Sequence, residues 1–497
     1  MGMLTRRRFL QAGASVAVAA WPAGCAWRPS GPDAILLNDI HSRLNPARVR
    51  AVVRPTSVDA VRAAVRRAAA DGRGVSIAGG RHAMGGQQFG ADTIHLDMSG
   101  MRRILRFDPL RGHIEVEAGI QWPELIDRLL TAQAGSERPW GIIQKQTGAD
   151  RLTIGGALAA NVHGRGLRLK PFVADVEAFS LVDAGGRLLR CSRRENAELF
   201  RLAIGGYGLV GVVTAVTLRL APRTKLERVV QLLDVEEMMP AVERRIADGF
   251  LFGDFQYATD PDSPDFLRRG VFSCYRPVEA TRPMPERQPE LSRSDWRRLL
   301  YLSHADKKRA FELYAGYYLS TSGQLYWSDT HQLSVYLDDY HRDLDRQLGA
   351  TEPATEMISE IYVPRPALPR FLADVRADFR RHRVELIYGT IRLIEKDDES
   401  FLAWAREPFA CVIFNLHTIH SPHGVERSAE AFRRLIDRAL GHGGSYFLTY
   451  HRWATRRQVE ACYPQFQDFL RLKRQHDPEE RFQSDWYRHY RAMFGGG

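Results

Sequence analysis

The pattern of apolar and polar positions predicts a strand, a helix and a second strand near the start of the folded chain. Residues 52–55 are a short apolar run that ends in proline, and Ser57 is placed to cap a helix directly after it. From residue 58 to 68 apolar positions recur at intervals of three and four, the period of an amphipathic helix. The helix is predicted to end at Asp71-Gly72, and residues 74–78 are typical of a strand. This order indicates a βαβ-type beginning.

The same kind of pattern extends this first unit to residue 222. A helix is predicted where apolar residues recur over residues 122–130. Alternation of apolar and polar residues predicts further strands, at 94–97, 104–107, 113–117 and 212–220. We therefore expect one α+β domain that spans residues 46–222.

Beyond residue 223 the pattern changes to helices rich in arginine and aromatic residues, mixed with strands. The predicted elements are helices at 295–302 and 307–318 and strands at 359–363, 387–394 and 411–417. The last two strands alternate in the manner of a central antiparallel sheet. The fold class predicted is α+β with two domains, the second being an α+β substrate or cap domain at residues 223–449, followed by a C-terminal segment at 450–497.

Length and composition place the chain among globular proteins. It has 497 residues, of which 44% are hydrophobic and 26% are charged, so a sizeable core is expected and fibrous or multi-span membrane classes are excluded. The formal net charge is +11. Because Arg and Lys are interspersed with Asp and Glu and no basic-aromatic motif stands out, no nucleic-acid partner is expected.

The N-terminal segment has the pattern of a targeting signal. Residues 5–11 read TRRRFLQ, and small apolar residues follow from 12 to 20. The segment resembles a twin-arginine export signal, and its apolar run is too short to span a bilayer. We predict a signal at residues 1–26, a lead-in at 27–45 and a periplasmic or cell-envelope location. The residues before Cys25 also resemble the end of a lipoprotein cleavage box, so simple cleavage and a lipid anchor at Cys25 both stay open.

The other cysteines, Cys191, Cys274, Cys411 and Cys462, lie far apart in the sequence. Without a Cys-x-x-Cys pair they indicate neither a zinc cage nor a dithiol redox motif, and no metal site is predicted. An exported protein could pair some of them in a disulfide, but mostly buried thiols are expected.

Three glycine-rich segments carry the chemistry of the first domain. Residues 77–87, IAGGRHAMGGQ, directly follow a predicted strand, where glycines let backbone N–H groups approach an anion. Residues 153–166 form a second loop of small residues, against which a flat ring could lie, and residues 204–213 run into the last strand. Neither the Rossmann fingerprint nor a Walker lysine is present. Three such segments in one domain predict an extended ligand of dinucleotide size.

At these residues the chain resembles the vanillyl-alcohol oxidase family of FAD-dependent oxidoreductases, with its PCMH-type FAD-binding domain. The resemblance covers residues 46–222 and, more loosely, residues 469–485, which are similar to a tail that folds back onto the FAD domain in this family. It implies FAD as the cofactor. The residues implied to bind it are Gly79, Gly80, Arg81, His82, Ala83, Met84, Gly86, Gln87, Thr153, Gly155, Gly156, Asn161, His163, Gly206, Gly208, Gly211 and Val213.

In that family a histidine in the first loop often carries the flavin covalently. His82 within HAMGGQ resembles the His-Ser-x-x-Gly-Gln loop of cytokinin dehydrogenases, which implies a bond from His82 to the flavin 8α-carbon. Such a bond withdraws electron density and should raise the reduction potential of the flavin. Ala83 replaces the usual serine, which removes one hydroxyl donor. Members with two links add a cysteine before the second loop, and residues 147–150 contain none, so a single link is expected.

The resemblance also implies catalytic candidates in the second part of the chain. Arg392 matches the arginine of a Glu-x-Arg segment in the sugar and polyol oxidase branch, but Thr390 occupies the acid position. Tyr450 and His451 stand where aldonolactone and decaprenylphosphoryl-ribose oxidases usually have a lysine. Either could accept a proton from a substrate hydroxyl, His451 with the better matched intrinsic pKa. Glu360 is a further candidate.

The activity implied is oxidation of a CH–OH group of a sugar, polyol or lactone, with hydride passing to flavin N5 while a base takes the hydroxyl proton. An envelope location suits electron delivery to a membrane quinone or a cytochrome as well as to oxygen. Two alternatives stay open. One is a flavin-binding protein with a degenerate active site, because the Glu and Lys positions are altered. The other is an oxidoreductase acting on an amine or a lipid-linked substrate.

Overall fold

The computed structural model describes residues 35–335, 337 and 340–495. The predicted export signal, the possible lipid anchor at Cys25 and the beginning of the lead-in lie outside these residues. Among the helices of the described part, none is both long enough and apolar enough to cross a membrane.

The first sheet is parallel and forms at the predicted βαβ start. The elements here are β1 (Ile35–Leu37), β2 (Ala47–Val49), β3 (Ala51–Val53), α1 (Val58–Ala70), β4 (Val75–Ala78) and β5 (Ile94–Asp97). Strands β1 and β2 pair antiparallel, while β5 lies between β3 and β4 and is parallel to both. Ser57 caps α1 by accepting a hydrogen bond from the Ala60 N–H at 3.2 Å. Val61 and Val65 of α1 are fully buried in the core beneath this sheet.

A second sheet, antiparallel throughout, follows in the chain. Its elements and neighbouring helices are β6 (Ile104–Asp108), β7 (His113–Glu117), α2 (Trp122–Ala132), β8 (Trp140–Ile142), α3 (Ile154–Ala160), β9 (Val176–Val182), β10 (Leu188–Ser192), α4 (Ala197–Ala203) and β11 (Val212–Pro222). The strand order is β10-β9-β11-β7-β6, with β8 pairing with the end of β11. Helix α3 packs against β11, which places the second and third glycine-rich segments side by side.

The third sheet has the order β15-β12-β14-β13-β17-β18-β16-β19, and all of its pairs are antiparallel. Its strands are β12 (Lys225–Asp234), β13 (Phe252–Tyr257), β14 (Arg269–Pro277), β15 (Leu325–Trp327), β16 (Ala354–Pro364), β17 (Leu386–Ile394), β18 (Phe409–Ile419) and β19 (Ser445–Tyr446). The helices between them are α5 (Val235–Ala247), α6 (Arg293–Ala305), α7 (Lys307–Ser320), α8 (Tyr340–Leu348), α9 (Leu368–His382) and α10 (Pro422–Gly441). The mixture of helix and sheet agrees with the predicted α+β class.

The last part of the chain packs against the first sheet. It contains α11 (Arg456–Cys462), α12 (Phe466–His476) and α13 (Asp485–Phe494). The Val75 N–H donates to the Arg481 carbonyl at 2.6 Å, and the Gln483 N–H donates to the Val75 carbonyl at 2.8 Å. Phe482, between them, is fully buried in the core around α1. Residues 481–483 thereby extend the first sheet by a short parallel bridge at β4.

The first half of the second glycine-rich segment, Ile154–Ala160, is a helix where a loop is predicted, while residues 161–166 are non-helical as predicted. Thr153 caps α3 by accepting a hydrogen bond from the Gly156 N–H at 3.2 Å. Both glycines fall in the first turn, and the remaining alanine and leucine residues are the strongest helix formers. Gly155 fits there because a Cβ at this position would come within 2.8 Å of Ala118 Cβ. Close packing, rather than loop flexibility, explains the small residues.

The cysteines of the described part agree with the expectation of buried thiols. Cys191, Cys274, Cys411 and Cys462 are all buried and unpaired. Burial raises the pKa of Cys191 to about 12, so this thiol stays protonated and packs as a small apolar side chain.

Candidate active site

A cavity of about 540 Å³ lies between the glycine-rich segments and the eight-stranded sheet. One wall comes from residues 77–84, from α3 and from the loop before β11, and the opposite wall comes from β13, β16, β17, β18, α6 and α7. Each of the three glycine-rich segments contributes at least one residue to it. The volume is within the range of ligand and cofactor sites, about 300–1,000 Å³.

The first segment forms a backbone surface with no room for larger residues. Residues 79–84 all line the cavity. A Cβ at Gly79 would collide with the Thr153 hydroxyl at the start of α3. Arg81 has a φ of 58°, a conformation that is strained for a non-glycine residue and that concentrates at functional sites. The packing of Gly79 against Thr153 therefore fixes the backbone conformation of this segment.

Hydrogen bonds tie this first segment to the chain just before Tyr450. The Met84 N–H donates to the Thr449 carbonyl at 3.0 Å, and Gln87 Nε2 donates to the Leu448 carbonyl at 2.7 Å. Met84 and Gln87 both line the cavity. The two parts of the chain that the sequence analysis assigns to cofactor and substrate are therefore in direct contact.

His82 lies in the cavity wall as a neutral imidazole. Its Nδ1 is 2.8 Å from Nε2 of His41. Its buried Nε2 has no partner at good hydrogen-bond geometry in the described part of the chain, although the Arg151 backbone interacts with the ring. Burial, helped by the neighbouring His41, lowers the pKa of His82 well below its ordinary value. A neutral imidazole keeps a lone pair on one nitrogen, which is the form that a bond to carbon requires.

The second segment presents a flat, small-residue face of α3. Gly156, Ala159 and Ala160 line the cavity. Asn161 ends the helix in the left-handed conformation, with a φ of 48°, and its Nδ2 donates to Asp397 at 2.8 Å. The Asn161 side chain therefore contacts the loop after β17 and fixes the C-terminal end of α3.

The third segment reaches the cavity through one side chain. Tyr207, with a φ of 54°, lines the cavity between two glycines. A Cβ at Gly206 would collide with the Leu202 carbonyl, so only glycine allows the chain to turn here. The other residues that the resemblance implies for FAD binding do not line the cavity; they are Gly86, Thr153, Gly155, Asn161, His163, Gly206, Gly208, Gly211 and Val213.

A buried carboxylate connects His163, which follows α3, with the candidate catalytic tyrosine. Glu360, on β16, is fully buried and bonds His163 Nε2 through one oxygen, while its other oxygen accepts a 3.1 Å hydrogen bond from the Tyr450 hydroxyl. Burial works to raise the pKa of Glu360, but His163 and Arg392 lower it below the ordinary value. Burial and the Glu360 charge raise the pKa of Tyr450 well above its ordinary value. The pair is thus a carboxylate that accepts from a protonated tyrosine.

Arg392 and Asn415 lie in the cavity wall, and each has polar side-chain atoms without a hydrogen-bond partner in the described chain. Arg392, on β17, is 5% exposed, and its Nε and Nη1 have no partner among the described residues. Asn415 Oδ1, on β18, likewise has no partner there. Buried polar groups without partners cost free energy unless a ligand or water satisfies them. These atoms are suited to hold an oxygen-rich molecule.

His451 is buried but does not line the cavity. Its ring stacks on Trp453, with centroids 4.2 Å apart and planes at 13°. Burial lowers the pKa of His451 to about 4. Of the two alternatives that the sequence leaves open for the base, the geometry places Tyr450 at the cavity and His451 behind it.

The sequence analysis missed a cationic and aromatic part of the cavity. Arg165 donates to the His331 carbonyl at 2.5 Å, and the Arg228 guanidinium lies 4.5 Å from the Tyr326 ring centroid. The tyrosines of this part are Tyr314, Tyr317, Tyr318, Tyr326 and Tyr388. The available signal was the group of aromatic residues within 307–318, namely Phe311, Tyr314, Tyr317 and Tyr318, which the spacing alone does not assign to a site.

Comparison with known proteins identifies the cofactor class. Residues 49–192 match the FAD binding domain family. The chain is 24% identical over 445 residues to L-gulono-1,4-lactone dehydrogenase of Mycobacterium tuberculosis, covering 88% of this chain and 95% of the relative. It is 25% identical to cytokinin dehydrogenase 4 of Oryza sativa subsp. japonica, covering 86% and 83%. It is 30% identical to L-gulonolactone oxidase of Bos taurus over a shorter stretch, 35% of this chain and 38% of the relative. These matches support the resemblance to PCMH-type flavoproteins.

The residues of the cavity fit an FAD group. Where the chain must come close to a flat ligand, Gly79 and Gly80 leave no space for a side chain. Besides Arg392 and Asn415, other cavity-lining residues have buried polar atoms without a partner in the described chain, among them Thr147 Oγ1, Gln88 Oε1 and His82 Nε2. A cofactor rich in oxygen and nitrogen supplies what these groups lack.

Proposed function

We propose that this chain, an FAD-dependent oxidoreductase by its FAD-binding domain and its relatives, oxidises a CH–OH group of a sugar, polyol or lactone. The observation that carries the proposal is the hydrogen-bonded pair of Tyr450 and Glu360 at the cavity, next to the unpaired donors of Arg392. FAD, when bound, supplies the hydride acceptor. Residues 79–84, Gly156 and Tyr207 would hold it.

Tyr450 is the group that would receive the substrate hydroxyl. Because its own proton points to Glu360, the tyrosine oxygen has lone pairs available on the cavity side. A substrate O–H that donates to Tyr450 can pass its proton on as the tyrosine proton moves to Glu360. His163, bonded to the other carboxylate oxygen, keeps Glu360 in place for this role.

Arg392 and Asn415 would bind the remaining oxygens of the substrate. Arg392 offers the N–H groups of two unpaired nitrogens, Nε and Nη1, and Asn415 offers an unpaired carbonyl oxygen. A polyhydroxylated ring or chain supplies both acceptors and donors, whereas an aliphatic alcohol leaves most of these groups unsatisfied. The positive charge of Arg392 would also stabilise the negative charge that develops on the substrate oxygen as its proton leaves.

Three relatives support the substrate class, because their names state that they act on lactones of sugar acids. They are L-gulono-1,4-lactone dehydrogenase, L-galactono-1,4-lactone dehydrogenase and L-gulonolactone oxidase.

The test of the proposed activity is anaerobic mixing of the purified, flavin-loaded protein with a panel of aldonolactones, alditols and aldoses. We expect loss of the 450 nm flavin absorbance with at least one of them, and no loss with simple aliphatic alcohols. If no compound of the panel bleaches the flavin, a flavin-binding protein with a degenerate site is favoured instead.

We also propose that His82 carries the flavin through a single covalent bond. The neutral ring and the unpaired Nε2 in the cavity wall support this role. We expect flavin fluorescence to stay with the denatured protein on a gel, and His82→Ala to release all of it. His113→Ala, a half-buried histidine outside the cavity, is the control and should keep the label. Free flavin in the supernatant of denatured unmodified protein would disprove the bond.

For the location we propose export to the periplasm or cell envelope, on the basis of the arginine motif at residues 5–11. The electrons would then leave to a membrane quinone, a cytochrome or oxygen. Cell fractionation of the full chain and of a variant with Arg6 and Arg7 changed to lysine tests this. We expect the unmodified protein in the envelope fraction and the variant in the cytoplasm, and equal distribution of the two would refute export by this route.

A further inference from the structure

A cluster of histidines surrounds a second buried carboxylate, away from the site formed by Tyr450, Glu360 and Arg392. Glu356, near the start of β16, pairs across the sheet with His417 of β18. His304 of α6 brings its Nε2 to 3.1 Å from Glu356 Oε1, and His341 of α8 brings its Nδ1 to 3.1 Å from Oε2. One ligand atom each from His304, Glu356 and His417 lie within 4.8 Å of one another. Two helices and two strands thus place nitrogen and oxygen donors around one point.

The hydrogen bonds of His304 place a lone pair opposite a carboxylate. Its Nδ1 lies 2.9 Å from the Leu300 carbonyl oxygen, which can only accept, so Nδ1 carries the hydrogen. In a neutral ring Nε2 is then an acceptor, and it faces an oxygen of Glu356, which is also an acceptor. The Tyr340 hydroxyl donates to the other oxygen of Glu356. A positive charge is needed between His304 and Glu356, and either a proton or a metal ion can supply it.

His417 distinguishes these two possibilities. Its buried Nδ1 has no hydrogen-bond partner in the part of the chain that the structure describes. The His417 and His304 rings meet edge to face, with centroids 5.1 Å apart and planes at 84°. A proton on His304 satisfies only the contact with Glu356 and leaves the His417 nitrogen unused. One cation between the ligand atoms of His304, Glu356 and His417 would instead engage all three side chains.

We propose that His304, Glu356 and His417 bind one divalent first-row transition-metal ion. Two imidazoles and a carboxylate are a common ligand set for Zn²⁺, with bonds of about 2.0–2.2 Å. His304 Nε2 and Glu356 Oε1, 3.1 Å apart, are already close enough to share one ion, and only a small movement of His417 is needed to complete the set. The bond from His304 Nδ1 to the Leu300 carbonyl is the kind of outer contact that orients metal-binding histidines. A cavity of about 90 Å³, lined by His341 among others, adjoins the site and has room for a water molecule as a further ligand.

Such an ion would connect helix α6 to strands β16 and β18 of the eight-stranded sheet. His304 belongs to α6, and the same helix contributes Trp296 to the wall of the larger cavity. The small cavity also shares His41, Ile358 and Asn415 with the larger one. The ion is therefore expected to stabilise the wall of the substrate cavity without touching the reacting atoms. The cysteine spacing gave no sign of it, because the ligands come from distant parts of the chain.

The test uses the purified, flavin-loaded full chain, stripped with a chelator and then titrated with ZnCl₂ against a chromophoric competitor. We expect about one tightly bound Zn²⁺ per chain and a Tm higher by a few degrees, because a ligand that binds only the folded state stabilises it. His304→Gln and His417→Gln should each weaken Zn²⁺ binding at least tenfold and abolish the Tm rise. Flavin content, read from absorbance, should be unchanged and reports that each variant is folded.

His442→Gln is the matched control, because His442 also pairs with a carboxylate, Asp374 at 2.8 Å, but on the surface. It should bind Zn²⁺ like the unmodified protein. A second buried trio, His163, Glu360 and Cys411, offers the competing location. The proposal is overturned if the unmodified chain retains no Zn²⁺ after desalting, whatever the variants do. It is also overturned if Cys411→Ser loses the ion while His417→Gln keeps it.

Discussion

Replacement of Tyr450 by phenylalanine is expected to lower kcat/KM by a factor of about 10² to 10⁴, the usual contribution of a positioned proton acceptor. The substitution keeps the ring that packs in the cavity wall and removes only the hydroxyl that donates to Glu360 at 3.1 Å. The substrate hydroxyl then has no route for its proton to the buried carboxylate. Steady-state kinetics with the best compound of the panel, normalised to bound flavin, measures the effect.

The loss should appear mainly in kcat, because the ring and the binding groups of Arg392 remain. Tyr301→Phe, on α6 and outside the cavity, is the control and should change kcat/KM less than about twofold. If Tyr450→Phe retains full activity while His451→Gln loses it, the assignment is wrong and His451 is the base. That outcome would mean that the stacked position of His451 on Trp453 changes when substrate binds.

Replacement of Asp477 by alanine is expected to reduce the free energy of unfolding by about 3–5 kcal/mol, the usual cost of removing one partner of a buried ion pair. Asp477 and Lys473 are both 0% exposed, with Asp477 Oδ2 and Lys473 Nζ 2.6 Å apart. The same carboxylate accepts the backbone N–H groups of Arg481 and Phe482, at 2.7 and 2.8 Å. It therefore fixes the turn that brings Phe482 back to the first sheet.

Thermal unfolding followed by circular dichroism should show this loss as a Tm lower by several degrees. Asp468→Ala is the matched control in the first turn of α12, since the pair of Asp468 with Arg471 is exposed. Exposed pairs contribute at most about 1 kcal/mol, so the control should unfold close to the unmodified protein. Equal Tm values for Asp477→Ala and the unmodified chain would show that the C-terminal turn is held by other contacts.

Local patterns accounted for much of the fold. The helix that begins after Ser57 ends at the predicted place, where Asp71 is the C-cap and Gly72 has a φ of 63°. The strand predicted at 212–220 spans Val212–Pro222, and the one at 387–394 spans Leu386–Ile394. These predictions succeed because hydrophobic period, capping residues and glycines act over a few residues. The loop predicted for the second glycine-rich segment was wrong for Ile154–Ala160, because small residues suit close helix packing as well as a turn.

The sequence was enough to predict an FAD site in outline, because the residues from Gly79 to Gln87 and those after Thr153 that carry the resemblance are consecutive in the chain. The proposed proton route from Tyr450 to Glu360 could not be predicted in that way. Glu360 meets His163 from 197 residues away and Tyr450 from 90 residues away. Folding places Glu360 between them and, by the same antiparallel pairing, sets Glu356 opposite His417. Buried charges act through their neighbours in space, and those neighbours are set by strand register and domain packing rather than by adjacency in the chain.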